Sequence, residues 1–141
     1  MFLKALVICE DARFELAGTL SLVGIFREHV IGAPLPAAGG VMFPRLVFVA
    51  MVGGLSNIAD VQHRFSLRGL DVDLASRDEP FTSEPRDADA DEHIFLFGNA
   101  PMVFPAQGRY EVALDVIALG QRATYRYPFQ VSAAASTLSA R

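Results

Sequence analysis

The chain has 141 residues, enough for one domain with its own core and short of two domains of ordinary size. Its net charge of −4 gives no basic footprint for nucleic acid, and no apolar run approaches the ~20 residues of a membrane-spanning helix. Apolar residues make up 52% of the chain, so either both faces of a sheet are covered or apolar surface meets a partner.

Residues 1–9 are apolar, but the run is short, Lys4 sits inside it, and Glu10 and Asp11 follow with no small-residue cleavage site. It reads as a strand over 2–9 rather than a secretory signal. The one cysteine, Cys9, allows no intrachain disulfide and suits a reducing cytoplasm, the location expected for a soluble chain of this kind. Residues 19–26 read as a second strand, with Gly24 placed for a bulge, and 28–31 as a third. Glycines and prolines over 32–40 mark a loop. The apolar, β-branched run 45–52, closed by Gly53 and Gly54, has the pattern of a central strand covered on both faces. In residues 60–68, Val61, His63, Phe65 and Leu67 share one face, and Asp60, Gln62, Arg64 and Arg68 the other.

The stretch 76–91 reads as a solvated, mobile acidic loop. Residues 77–92 carry seven acids against two arginines, a local charge of −5, which leaves the rest of the chain near +1 by difference. A strand over 93–97 follows. Residues 110–118 alternate, with Glu111 and Asp115 on the wet face, and a turn at Gly120 and Gln121 leads into a last alternating strand that runs to Val131. Pro128 cannot donate to a ladder, so this strand is expected at an edge or bulged. Residues 132–141 are small and polar and read as a flexible tail.

About seven or eight short strands and no helix predict an all-β single domain over 1–131, an immunoglobulin-like antiparallel β-sandwich, with a small β-barrel as the alternative. Gly108 and Tyr110 favour the sandwich. A tyrosine just after a glycine at the start of a late strand is placed for a tyrosine corner, whose hydroxyl bonds back across the connection between sheets. The cysteine–tryptophan–cysteine signature of antibody domains is absent, since there is no tryptophan.

Cys9-Glu10-Asp11, the run Gly18 to Phe26, Phe43-Pro44-Arg45-Leu46 and Gly108-Arg109-Tyr110 come in an order that resembles a bacterial family of short β-sandwich proteins of unknown function. The likeness covers most of residues 1–131. It implies a fold and no activity, so it carries over no functional residues.

Chemistry is sparse. The chain has no glycine-rich phosphate loop, and its one lysine is Lys4. His29, His63 and His93 lie far apart in sequence; a fold can bring His63 and His93 together, but paired close ligands are missing. Asp87, Asp89 and Asp91 alternate like hard oxygen ligands and are weak calcium candidates, without the glycine and glutamate spacing of an EF-hand. Cys9 has Glu10, Asp11 and Glu15 as neighbours, which oppose a thiolate and favour a core role. Asp71 and Asp73 are too close across a turn for a glycosidase pair. Tyr125 and Tyr127 share a face and suggest either core or an edge platform for a ligand. No catalytic residue, cofactor or metal is assigned. The expectation is a non-enzymatic interaction or assembly module that presents an edge strand or apolar face to a protein partner or to itself. The alternative is a ligand-binding domain, for a sugar or with calcium, at a loop end carrying 32–40 and 76–91; a small hydrolase ranks below both.

Overall fold

The computed structural model describes residues 1–27, 30–32, 35–37, 40–72 and 77–132, and these contain strands and turns but no helix. The strands are β1 (Phe2–Phe14), β2 (Leu20–Ile25), β3 (Val30–Gly32), β4 (Leu35–Ala37), β5 (Gly40–Gly53), β6 (Asp60–Gly69), β7 (Arg77–Asp78), β8 (Thr82–Pro85), β9 (His93–Phe104), β10 (Gly108–Ala118) and β11 (Gln121–Ser132). They form two sheets that do not close into a barrel, the layering of a β-sandwich.

In the first sheet β5 lies between β1 and β9, and β2 pairs with the far edge of β1. Short β4 extends the β1 side of β5. In the second sheet β10 lies between β11 and β6; β8 and β7 follow one another along the outer edge of β6. The ladders are antiparallel except for the three-residue pairing of β3 with the end of β11. Pro128 sits on β11 opposite Glu111, and the other side of β11 is unpaired at that position among the described residues.

The core forms between the two inner faces. Phe48, Phe65, Phe95, Phe104 and Tyr110 are fully buried there, and the rings of Phe48, Phe65, Phe104 and Tyr110 contact Phe43, Phe97 and Phe129 in edge-on, tilted or stacked pairs. Alternation decides which side chain points inward, and bulges reset it. On β5 the inward residues are Val41 and Phe43, then Leu46, Phe48, Ala50 and Val52, so parity flips at Pro44 and Arg45, where the register with β9 shifts. The partner strand flips at the same level: Phe95 and Phe97 face the core, then Met102 and Phe104. Gly98 sits at that switch with φ +100°, and a Cβ there would strike the Leu46 carbonyl. The matched irregularities let β5 begin before residue 45 and β9 run on past residue 97 within the same sheet.

Several expectations are corrected. The stretch 32–40 contains β4 and the start of β5, and the acidic stretch contains β7 and β8. Strands of two to four residues are too short to show a period, and polar edge strands show no apolar alternation. The acidic stretch is therefore not one loop: β7 lies beside the end of β6 and β8 beside its start, so the chain runs the length of that edge. The hairpin turns at Leu119 and Gly120, both with positive φ, closed by the pair Ala118 and Gln121. Ser132 belongs to β11; the remainder of the expected tail, 133–141, lies outside the described residues, as do His29 and Asp73.

Candidate functional site

β5 is buried on both faces, yet the second sheet covers only one. The other cover comes from its own neighbours. β1 is 13 residues long; its first part pairs with β5 up to Cys9 and its last part, from Cys9 to Phe14, pairs with β2. The β1–β2 hairpin thus projects as an arm. Ala12, Leu20 and Leu22 of the arm pack with Val7 and Cys9 on Val47 and Val49, which are almost fully buried on the outer face of the sheet, and Met51, Ile94 and Leu96 complete this second cluster. Phe14, at the arm's end, lines a recess of about 360 Å³ together with Ile94 and Leu96 of β9, a strand that β1 does not pair with. The arm therefore lies across the outer face of the first sheet. The Cys9 thiol is buried beneath it and donates to the Asp11 carbonyl at 3.3 Å; burial pushes its pKa up.

The arm also exposes large apolar side chains. Phe14 is 61% exposed, Val23 51% and Ile25 54%. Beside Val23 an open groove of about 380 Å³ runs over Phe26, Phe43 and Pro44, rimmed by Glu10, Asp11 and Arg45. Asp11 is buried at that rim; the Arg13 guanidinium at 2.7 Å, with Arg45 at 3.0 Å, holds its carboxyl below the usual range. β2 is an edge strand with no charged side chain from Leu16 to Phe26. The Glu15 N–H bonds the Thr19 carbonyl at 2.8 Å. Antiparallel alternation then turns the backbone groups of Ser21 and Val23 toward β1 and leaves those of Leu20 and Leu22 pointing outward. Gly24, with φ +67°, leaves the extended backbone only after this segment, and the register of β1 with β2 does not shift there.

Three other described edge strands carry prolines. β9 carries Pro101, β11 carries Pro128, and β8 closes on Pro85; such residues interrupt a row of donors. The outer face of the second sheet is closed by ion pairs. Asp115 accepts from Arg122 at 2.7 Å, Arg64 at 3.0 Å and Thr124 at 2.6 Å. Burial raises its pKa, but the bonds from Thr124, Arg122 and Arg64 outweigh that and hold it below the usual range. Glu111 is held by Arg68 at 2.9 Å and Arg126 at 3.1 Å, and Arg64 and Arg122 flank the Phe81 ring.

The sequence-chosen residues fall as follows. Tyr110 lies near the start of β10, just beyond the corner that crosses between sheets, and its hydroxyl donates to the Ala106 carbonyl at 2.6 Å. Gly108 begins that strand where a Cβ would strike Val72 and crowd Asp71. Asp87, Asp89 and Asp91 do not converge: Asp87 accepts from the Asp89 N–H at 3.0 Å, whereas Asp91 accepts from Ser56 at 2.9 Å. Among the described residues no three His, Cys, Asp or Glu side chains are grouped to hold a metal ion. The segment 86–92 is fastened rather than loose, since Arg86 donates to the carbonyls of Leu55 at 2.5 Å and Ile58 at 2.7 Å and also to that of Ala90. It lies where β5 ends; Leu35–Ala37 lies where β5 begins, so these parts of the two expected loops stand at opposite ends of the sandwich. His63 and His93 are brought to the same ring, with centroids 4.7 Å and 4.6 Å from Phe95, and His63 bonds Thr82. Tyr125 and Tyr127 pack against the main core.

The arm is what sequence reasoning missed. Its signal was the uncharged run ending at Phe26, which period-two reading takes for an ordinary strand. No known protein family, curated protein or solved structure matches the chain. Among the described residues no helix is long and apolar enough to cross a membrane.

Proposed function

We propose that this chain is a non-enzymatic interaction module that takes an extended segment of a protein partner as an added strand along β2. The observation that carries the reading is the uncharged, proline-free β2 edge, whose outward N–H and C=O groups at Leu20 and Leu22 stand beside exposed Val23 and the apolar groove. Strand addition draws affinity from main-chain hydrogen bonds and selectivity from pockets that receive alternate side chains. The groove over Phe26, Phe43 and Pro44 is such a pocket, and Arg45 and Asp11 at its rim supply polar discrimination. The paired arginines and acids of the second sheet offer a surface already satisfied within the chain. We further infer an immunoglobulin-type sandwich, supported by the strand order β1-β5-β9 against β11-β10-β6 and by the Tyr110 corner, and membership of the bacterial family that the sequence resembles. A cytoplasmic location fits the single buried thiol.

The test is capture from native lysate with the wild type and with Ser21→Lys, combined with amide hydrogen exchange on the complex. The expected result is a partner recovered by the wild type alone, with the Leu20 and Leu22 amides protected in the complex. Equal recovery by the variant, or a complex in which those amides exchange freely, refutes the reading.

A further inference from the structure

Resting on that reading of β2 as a docking edge, we infer that its occupant is a second copy of this chain, paired antiparallel, β2 to β2, about a two-fold axis at Ser21. Three features lead there. First, a two-fold axis perpendicular to a sheet must place each residue opposite one of the same facing, so the centre falls on a residue rather than between two. Centring on Ser21 sets Leu20 opposite the partner's Leu22, the two positions whose backbone groups point outward. Second, the side chains of Leu20 and Leu22 are half-buried at the border of the outer cluster, and the pairing joins that cluster to its copy. Third, the charges select antiparallel over parallel. The run from Leu16 to Phe26 is neutral, so two copies meet without repulsion, and it is bounded by exposed Glu15 at the hairpin turn and exposed Arg27 beyond the strand. Antiparallel pairing brings Arg27 to the end of the ladder where the partner's turn begins at Glu15; parallel pairing would set like against like. A short ladder of this kind falls below the ~800 Å² per partner of standard stable interfaces, so the dimer forms at micromolar rather than nanomolar concentration.

Sedimentation velocity from about 1 to about 500 μM tests this, a range that brackets the expected weak dissociation constant. The mass should rise from 15.3 kDa toward twice that value. Ser21→Lys and Ser21→Asp each place like charges face to face on the axis, where opposed Cβ atoms are ~5 Å apart, and each variant should stay monomeric with an unchanged far-ultraviolet circular dichroism spectrum. An equimolar mixture of the two should recover the dimer mass. Arg27→Glu should weaken the wild-type dimer about tenfold, since the symmetry breaks two exposed ion pairs at once, and adding Glu15→Arg should restore it. A wild type that stays at 15.3 kDa throughout overturns the second-copy proposal, while the lysate and exchange result above separately decides whether β2 docks anything. A Ser21→Lys protein that still dimerises overturns the proposal as well, because the contact then lies elsewhere.

Discussion

Replacing Tyr110 by Phe removes one oxygen from the corner between the sheets and little else. The ring is fully buried, with its centroid 4.8 Å from Phe104 and 6.0 Å from Phe129, and phenylalanine keeps those contacts. What disappears is the donation to the Ala106 carbonyl at 2.6 Å. Burial raises the Tyr110 pKa, so the hydroxyl is a neutral donor throughout the physiological range. The net worth of such a bond is about 0.5–1.5 kcal/mol, and a half-buried carbonyl left without its donor adds to the loss, so Tyr110→Phe should cost about 1–2 kcal/mol. For a chain of this size that lowers Tm by roughly 3–6 °C. Tyr110→Ala also deletes the ring and should cost about 3–5 kcal/mol, which separates the bond from the packing. With no tryptophan in the chain, urea unfolding is best followed by far-ultraviolet circular dichroism, with the midpoints compared at equal slope. A Tyr110→Phe midpoint within about 0.3 kcal/mol of wild type would show that the hydroxyl does not fasten the corner.

The carboxyl of Asp115 is held below its ordinary range in the folded state, so its stabilisation is complete at neutral pH and disappears as pH falls below about 4. Asp115→Asn should lose about 1–2 kcal/mol at pH 7, a modest value because Arg122 is half exposed, and the gap to wild type should narrow by pH 2–3 in urea titrations. Arg86→Met should cost about 2 kcal/mol and accelerate amide exchange across 86–92, because the carbonyls of Leu55 and Ile58 lose their shared donor. Cys9, buried under the arm, should react with a thiol reagent far more slowly in native than in unfolded protein, and Leu22→Ala should speed native labelling about tenfold by loosening the arm. Labelling unaffected by Leu22→Ala would mean that the arm does not gate the thiol.

Period-two alternation was enough to establish the longer strands, the inward faces of β6 and β10 and the terminal hairpin, because in an uninterrupted strand side-chain facing follows from the backbone pleat. Val61, His63, Phe65 and Leu67 face the core together, as do Tyr110, Val112, Leu114 and Val116, and Pro128 stands on a strand that is open at that position because a residue without an N–H cannot sit in an interior ladder. Even the two-sided burial of residues 46–52 was legible as a pattern. The source of its second cover was not. Only the tertiary structure decided that a hairpin arm of the same chain lies over Val47 and Val49, since nothing in β1 marks Cys9 as the point where it leaves β5 for β2. The same holds for Asp115 among Arg64, Arg122 and Thr124, where three strands must be laid side by side before the charges meet. Local sequence determines which way each side chain faces; which surface receives it is set by contacts between residues distant in the chain.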